Sequence, residues 1–202
     1  SSDLSDFGRF FSMFTKVFRS FSPSKQIAYL ALFIALSVAC NSFLDIDVTA
    51  SNKITFTYFI CFYAGFLLGP VPGFIVGLLG DAIGFLIKPS GIYWLFGLTL
   101  GLFGFLSGII MKYIPWSGKK GLYGKAAVSF AVCFLVITCF VNSVVNYFYA
   151  YIFIWEGVFK KAFWVWFAGR IAFQSVVYVI NTALCFATLP LSVKLNTFRE
   201  LQ

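Results

Sequence analysis

The sequence lacks histidine altogether, and only 11% of its 202 residues are charged. Without histidine, the chain has none of the residue that most often serves as a general base or a metal ligand near neutral pH. Soluble domains carry about 25% charged residues, more than twice the charged fraction of this chain. In addition, 60% of its residues are apolar. The low charge and the repeated apolar stretches of helix-spanning length predict an α-helical protein that crosses a membrane several times.

The chain also has little that suggests a catalytic or redox site. Its five cysteines are scattered singly along apolar segments, so no pair has the spacing of a metal or redox motif. The glycine- and lysine-rich stretch 118–125 has the wrong spacing for a phosphate-binding P-loop, and Ala126 stands where serine or threonine is needed. We therefore expect a non-catalytic protein without cofactor or metal, which does not hydrolyse ATP by itself and does not bind nucleic acid.

Turn signals divide the apolar sequence into six predicted transmembrane helices. We expect them at about 25–44, 54–68, 69–87, 92–111, 126–154 and 162–193. They form one predicted transmembrane domain, 25–195, between an N-terminal segment, 1–24, and a short cytoplasmic tail, 196–202. The N-terminal segment combines phenylalanines at helical spacing with basic residues, which is typical of an amphipathic helix in the membrane interface.

The basic residues are distributed unevenly between the two sides of this predicted protein. With six spans, both termini lie on one side, and that side collects Arg9, Lys16, Arg19, Lys25, Lys112, Lys119, Lys120, Lys125, Lys194 and Arg199. The other side has four lysines, at 53, 88, 160 and 161, and Arg170 lies within the sixth span. Since basic residues accumulate on the cytoplasmic side, we expect cytoplasmic termini and outer loops at 45–53, 87–92 and 155–161.

Two predicted helices in the middle of the chain carry glycine at the same spacing. The glycines are Gly73, Gly77, Gly80 and Gly84 in the first helix, and Gly97, Gly101, Gly104 and Gly108 in the second. Each set falls within one narrow stripe of a helix. Stripes without side chains let helix backbones approach closely inside lipid. We therefore predict a tightly packed helical hairpin, joined by the connector 88–91.

Polar and aromatic residues that share helical faces inside the membrane predict a binding pocket open to the outer side. Asp81 is the only acid in its apolar span, and an ionisable group at membrane depth indicates a functional site. The residues predicted to form the pocket are Asp81, Asn146, Tyr149, Trp166, Arg170 and Gln174, with Tyr93 and Trp94 at its mouth. The alternative is that Asp81 and Arg170 neutralise each other as a structural ion pair.

The string GPVPGFIVGLLGDAIGFLIKPSGIYWLFGLTLG, at 69–101, resembles the signature of a known family. The family is the substrate-binding S component of energy-coupling factor (ECF) vitamin transporters, and the string most resembles its folate-type group. The matching positions are Gly69, Pro70, Gly73, Asp81, Pro89, Gly91, Tyr93 and Thr99, although the Gly-Phe pair expected before Thr99 is reversed as Phe96-Gly97. Ala31 and Ala35 resemble the alanine-x-x-x-alanine motif with which the family docks on its coupling subunit.

The resemblance implies an S-component-like bundle of six helices in a bacterial plasma membrane. Such a protein captures a vitamin from outside with high affinity and delivers it inward together with a transmembrane coupling protein and two ATPase subunits. For folate, the resemblance implies contacts to the edge of the pterin, to its ring faces and to the carboxylates. Asp81 or Asn146 would pair with the edge of the pterin. Trp94, Trp166 or Tyr149 would stack on the ring, and Arg170, Lys53 or Lys88 would bind the carboxylates.

Other functions stay open at this point. Pantothenate, riboflavin or cobalamin would also accept aromatic walls and a cation. A stand-alone secondary transporter is a further alternative, although the glycine repeat does not extend to the two halves of the chain, as inverted repeats would. A lipid-modifying enzyme would need a second catalytic group beside Asp81, and the sequence around it offers none.

Overall fold

The chain folds into a bundle of apolar helices. The structure is a computed structural model that describes residues 14–49, 52–89 and 92–194, with only the backbone described at 47–49, 52–53 and 193–194. Its elements in chain order are α1 (Lys16–Ser20), α2 (Pro23–Ser42), β1 (Ile46–Thr49), β2 (Asn52–Ile54), α3 (Thr57–Leu67), α4 (Pro70–Ile87), α5 (Phe96–Tyr113), α6 (Gly118–Ile154) and α7 (Phe163–Lys194). Five of them, α2 and α4 to α7, are long and apolar enough to cross a membrane.

The outward surface of the bundle is apolar. Many large hydrophobic residues are exposed on it, among them Phe140 at 74%, Trp164 at 73% and Ile27 at 69% exposure. Soluble monomers do not normally present apolar side chains in this way over much of their surface. Together with the helix lengths, this surface confirms the predicted helical membrane fold.

Helix α3 is shorter than the predicted second span. It covers 11 residues, about 16 Å at 1.5 Å per residue, which is about half of the hydrocarbon thickness. The difference arises because the expected polar loop 45–53 forms a small hairpin: β1 pairs antiparallel with β2, and the hairpin takes up Ile54. Ten of the eleven residues of α3 are buried, so this helix lies at the centre of the bundle.

Contacts with α7 show how deeply α3 begins. The amide of Asn181 donates a hydrogen bond of 2.8 Å to the Thr55 carbonyl and accepts one of 3.0 Å from the backbone N–H of Phe59. Asn181 lies eighteen residues after the first residue of α7, about 27 Å along the helix axis. The N-terminus of α3 is therefore deep in the bundle. Arg170 and Gln174 come before Asn181 in α7, so they lie between the N-terminus of α3 and the hairpin end of the bundle.

Glycines bring three helices together at one point, where α3, α4 and α5 cross. A Cβ added at Gly73 of α4 would lie 2.7 Å from the Gly104 carbonyl oxygen of α5 and 2.7 Å from the Cα of Gly65 of α3. One at Gly108 would lie 2.8 Å from the Cα of Pro70. Cβ atoms do not fit at such distances, so backbone packs on backbone here, as the glycine spacing predicts.

The second half of the α4 glycine stripe faces a different helix from the one predicted. Cβ atoms at Gly80 and Gly84 would collide with Ser37 and Asn41 of α2, respectively, not with α5. The stripe is straight, but α4 is crossed by α5 near its start and by α2 near its end. The predicted hairpin of α4 and α5 thus forms two layers of a three-helix sandwich, in which α4 lies between α5 and α2.

The core lies between α3, α5, α6 and α7 and is largely aromatic. Tyr58, Phe103, Phe130 and Tyr178 form a cluster whose paired ring centroids are 4.8 to 6.4 Å apart. These pairs are tilted or edge-on, the arrangements that aromatic quadrupoles favour. The hydroxyl of Tyr178 lies 2.6 Å from that of Thr138, which comes from a π-helical stretch, Phe134–Asn142, within α6.

The N-terminal segment is predicted to lie in the membrane interface, and the structure describes it from residue 14. Thr15 donates a side-chain hydrogen bond of 2.8 Å to the Leu67 carbonyl and a backbone one of 3.1 Å to the Leu68 carbonyl, at the end of α3. Val17 and Phe18 are buried against the bundle. Part of the predicted apolar face therefore packs on protein. The interfacial position stays a prediction, and residues 1–13 lie outside the described residues.

The glycine contact predicts a large difference between two Gly→Ala variants. We expect Gly104→Ala to lower the melting temperature of the protein in detergent clearly, because the added methyl group meets the Gly73 carbonyl and overpacking costs about 1–3 kcal/mol. Gly169→Ala is the matched control, since a Cβ there has no neighbour within 4 Å and alanine favours helix. Equal melting temperatures for the two variants would contradict the close packing.

Candidate functional site

Asp81 is buried, with 6% of its surface exposed, six residues before the end of α4. The side-chain amide of Asn41 in α2 donates a hydrogen bond of 3.1 Å to its Oδ1 atom. This contact depends on the glycines on α4, because Gly80 and Gly84 allow α2 to approach on either side of Asp81. A buried carboxylate is costly unless donors surround it, and Asn41 is one of those donors.

The connector between α4 and α5 provides a second donor to Asp81, the phenol of Tyr93. A Cβ added at Gly97 would lie 2.5 Å from the Tyr93 hydroxyl and 3.3 Å from Asp81 Oδ2, so the absence of a side chain at 97 leaves room for the phenol. Burial, together with the charge of Asp81 and a hydrogen bond to it, raises the pKa of Tyr93 to about 12. The phenol is thus protonated at neutral pH and donates to the carboxylate.

Arg170 in α7 is buried as well, with 5% exposure. Its guanidinium carbon lies 5.5 Å from the centre of the Trp166 ring, one helical turn earlier, in a cation–π contact. The hydroxyl of Tyr58, at the start of α3, is within electrostatic range of both Arg170 and Asp81. The two predicted charges therefore lie in the same region of the bundle, above the α3 N-terminus.

The two predicted amide residues differ in their contacts. Gln174 is 5% exposed, and its Oε1 atom has no hydrogen-bond partner within the described part of the chain. Asn146 uses its amide nitrogen inside α6, where it donates to the carbonyl and the side-chain oxygen of Asn142, at 2.8 and 2.7 Å. Gln174 is therefore the better candidate for an amide that contacts a ligand.

Aromatic residues connect the α4–α5 connector to the end of α6. Trp94 packs edge-on against Phe153, with ring centroids 5.5 Å apart, and Phe153 packs on Tyr149 at 5.2 Å. The Tyr149 hydroxyl accepts a hydrogen bond of 3.3 Å from the backbone N–H of Ile92. The buried Nε1 atom of Trp94 has no partner among the described residues. Trp94 and Tyr149 thus belong to one aromatic wall, and a ligand contact by either residue stays a prediction.

Trp166 connects Arg170 to a second aromatic cluster at the same end of the bundle. Its ring lies 5.6 Å from that of Tyr147, which also packs against Trp155 and Phe163. The Tyr147 hydroxyl donates to the Lys161 carbonyl in the loop between α6 and α7. This cluster fixes the indole that carries the guanidinium of Arg170.

The two predicted lysines are placed differently from the buried residues. The Lys88 ammonium group forms an ion pair of 2.9 Å with Asp45, and its side chain is 45% exposed. For Lys53 the structure describes the backbone, which pairs with Asp47 in the hairpin; its side chain is outside the described part. Lys88 therefore ties the α4–α5 connector to the hairpin, and a ligand contact by either lysine stays a prediction.

Two residues near Asp81 and Arg170 were missed in the sequence-based prediction, Asn41 and Tyr58. Asn41 follows Ser37 by four residues in an apolar helix, so polar residues on one face were a usable signal. Tyr58 had no such signal, because it resembles the other aromatic residues of α3.

A separate surface on α2 concerns docking. Ala31 and Ala35 are both exposed, and so is Ala28 one turn earlier. Three buried residues of this helix lie on its other side, at Phe33, Ser37 and Cys40. The small residues therefore form a smooth, exposed strip on the outside of the described part of the bundle.

The candidate site combines carboxylate, guanidinium, amide and aromatic groups. In residues 14–49, 52–89 and 92–194, no three His, Cys, Asp or Glu side chains are close enough together to hold a metal ion. The buried carboxylate is suited to accept hydrogen bonds from an amino or ring N–H group, and the guanidinium to bind an anionic group. Such a combination is typical of a site for a planar, partly anionic small molecule.

Solved structures with a similar fold include two S components. The structure of FolT bound with folic acid aligns with a TM-score of 0.64 and 21% sequence identity, over 81% of this chain and 93% of that chain. The structure of the S component of a bacterial ECF transporter aligns with a TM-score of 0.52 and 17% identity, over 86% of this chain and 99% of that one. At these identities the likeness establishes the fold.

A curated sequence from Mycoplasma pneumoniae, described as an uncharacterized MG313 homolog, is 33% identical over 84 residues. This match covers 42% of the present chain, and the chain spans only 29% of that protein's length. A family model described as "ECF-type riboflavin transporter, S component" matches residues 22–189, which is most of the chain. The protein belongs to this family of ECF transporter S components.

Proposed function

We propose that this protein is the membrane-embedded vitamin-binding subunit of an ATP-driven ECF uptake transporter, with folate as its first candidate substrate. The observation that carries the proposal is the buried pair of recognition groups, Asp81 with its two donors and Arg170 on its indole. Both lie on the hairpin side of the α3 N-terminus, between aromatic residues. A soluble vitamin entering from the outer end would meet them together.

The chemistry of folate fits these groups in three respects. Its pterin carries an amino group and ring nitrogens that a carboxylate such as Asp81 recognises, and its flat ring suits stacking on Trp94, Tyr149 or Trp166. Its glutamate tail is anionic and suits Arg170. The N-terminus of α3 adds the positive end of a helix dipole at the same depth, as half-helices in transporters do for anionic groups.

Riboflavin is the second candidate, because the matching family model is described by that vitamin. Its ring system would also stack on the aromatic wall, and its imide edge would pair with Asn146 or Gln174. Riboflavin has no carboxylate, however, so it would offer Arg170 no carboxylate contact of the kind that the glutamate tail of folate offers. The charge of the site therefore favours folate. FolT, whose structure was solved with bound folic acid, has a similar fold.

The proposed transport cycle needs partners. We infer a transmembrane coupling protein that docks on Ala31 and Ala35, and two ATPase subunits in the cytoplasm. The exposed strip of small residues on α2 supports this, since such strips let a second helix approach closely. The proposal also places the protein in a bacterial plasma membrane with cytoplasmic termini, which follows from the distribution of lysine and arginine.

The first prediction of this proposed function tests the ligand and the energy source together. The purified protein alone should bind folate in calorimetry more tightly than riboflavin, pantothenate or cobalamin, and should show no ATPase activity. In liposomes that contain this chain alone, folate should not accumulate against a gradient. Tighter binding of riboflavin would replace folate by the second candidate, while accumulation driven by an ion gradient would show a secondary transporter instead.

The second prediction separates ligand binding from ion pairing by Asp81 and Arg170. If Arg170 binds a carboxylate of the ligand, Arg170→Ala should cost about 2–5 kcal/mol of binding free energy, as for loss of a desolvated charge partner, and Asp81→Asn should cost less. Lys161→Ala, an exposed cation at the same end, is the control and should bind normally. Affinities from calorimetry are compared with melting temperatures for each variant.

The competing ion-pair account predicts a different pattern. Each single variant would then melt at a much lower temperature, because a buried charge loses its partner, and Asp81→Asn with Arg170→Gln would restore part of the stability. A well-folded Arg170→Ala protein with unchanged folate affinity would refute the carboxylate contact.

The third prediction concerns docking on α2. Ala31→Trp or Ala35→Trp should abolish uptake by the assembled transporter while folate affinity stays within a few-fold, because a bulky residue holds the partner helix away. Ala183→Trp, at an exposed alanine of α7, is the matched control. Loss of uptake with all three variants would indicate a general effect of the tryptophan, not a docking surface on α2.

A further inference from the structure

One end of the bundle carries many basic side chains. This basic end consists of seven residues: Lys16, Arg19, Lys25, Lys112, Lys119, Lys120 and Lys125. They lie in α1, in the first turn of α2, in the last turn of α5 and in the first turns of α6. All but Lys125 are exposed, and Lys125 is partly exposed.

Contacts between the elements bring these segments to the same end. Thr15, just before α1, binds the carbonyl groups at the end of α3. Gly108, near the end of α5, packs on Pro70, the first residue of α4. In α6, Cys133 lies near Phe103 of α5, so α6 runs antiparallel to α5 and its first turns lie beside the last turn of α5.

The acidic residues of the described chain are elsewhere. Within residues 14–49, 52–89 and 92–194 they are Asp45, Asp47, Asp81 and Glu156, all in or near the hairpin and the connections at the opposite end. Lys119 and Lys120 therefore have no acidic side chain of the described residues near them. Clustered like charges repel one another unless an anion from outside neutralises them.

Aromatic side chains are fixed beside the lysines. The main chain and side chain of Trp116 lie over the first turns of α6, where Cβ atoms at Gly121 and Gly124 would meet them at 2.9 and 3.0 Å. The two glycines thus form a seat for the indole, which keeps 47% exposure. Tyr113 is 63% exposed, and the ammonium group of Lys112 lies 5.3 Å from its ring centre.

We propose that the basic end is a binding surface for the headgroups of anionic phospholipids, centred on Trp116, Lys119 and Lys120. Each adjoining helix leaves the membrane at this end, so its lysines stand at the level of the phosphates. Tryptophan and tyrosine prefer that same level, with the ring in the lipid and the polar atom at the headgroups. Anionic lipids attract such juxtamembrane basic clusters. An acidic protein surface would balance the lysines but would give the seated indole no lipid boundary to occupy.

Native mass spectrometry of the full chain tests this surface with lipids of defined headgroup. The protein in neutral detergent is mixed with equal amounts of phosphatidylglycerol and phosphatidylcholine of the same acyl chains. The wild-type protein should retain phosphatidylglycerol preferentially. Lys119→Gln with Lys120→Gln should lower that retention about tenfold, since each juxtamembrane lysine contributes to attraction by the anionic surface, and should leave phosphatidylcholine retention unchanged.

The chain offers a matched control, because Lys160 and Lys161 are also adjacent and exposed but lie at the opposite end. Lys160→Gln with Lys161→Gln should retain phosphatidylglycerol as the wild type does. Without added lipid, both double variants should melt close to the wild-type temperature; with phosphatidylglycerol, the wild type and the control should gain stability and the Lys119/Lys120 variant should not.

Three results would overturn the proposal. One is equal retention of the two lipids by the wild-type protein, and another is an equal loss of phosphatidylglycerol in both double variants. The third is normal lipid retention in the Lys119/Lys120 variant together with weaker assembly with the ECF partner subunits, which would assign the basic end to an acidic protein surface. None of these results bears on folate binding, which is measured separately at the other end.

Discussion

The close approach of α4 to both α2 and α5 is the contact on which the candidate site depends. Gly80 and Gly84 bring Asn41 beside Asp81, and Gly97 leaves room for the phenol of Tyr93. A carboxylate buried at 6% exposure is shielded from bulk water, so hydrogen-bond donors from the protein or the ligand must compensate for its burial. Larger residues at these glycines would separate the helices and leave Asp81 without its donors.

Glycine spacing allowed the close packing of α4 to be predicted, but not the identity of both neighbours. A stripe specifies that something approaches, whereas the crossing angle of the helices decides which helix it is. The short length of α3 was not predictable in the same way. Its apolar run continues through Ile54, and hydropathy does not distinguish a half-length helix entered from a hairpin from a full span. The pairing of β1 with β2 depends on backbone hydrogen bonds, which hydropathy does not report.

The candidate site was predicted best where one helix alone defined a face. Trp166, Arg170 and Gln174 share a stripe of α7; Arg170 and Gln174 are buried and Arg170 contacts Trp166, while ligand binding by the three stays a prediction. Residues whose partners come from other elements were predicted less well. Asn146 bonds within its own helix, Lys88 pairs with Asp45, and Asn41 was missed because its role depends on α4 lying beside α2. Helical periodicity reports which residues share a face, but not what that face meets.

The burial of α3 has a consequence for the thickness of the surrounding bilayer. A helix that faces lipid must match the hydrocarbon width, and a mismatch is relieved by tilting or by deforming the membrane. Helix α3 is surrounded by protein along almost its whole length, so its 11 residues meet no such demand. The depth of its N-terminus is set by the hairpin and by Asn181 instead. A change in hairpin length would therefore move the N-terminus of α3 toward or away from Arg170. The lipid-facing helices would keep their lengths, so the protein would fit the same membrane thickness.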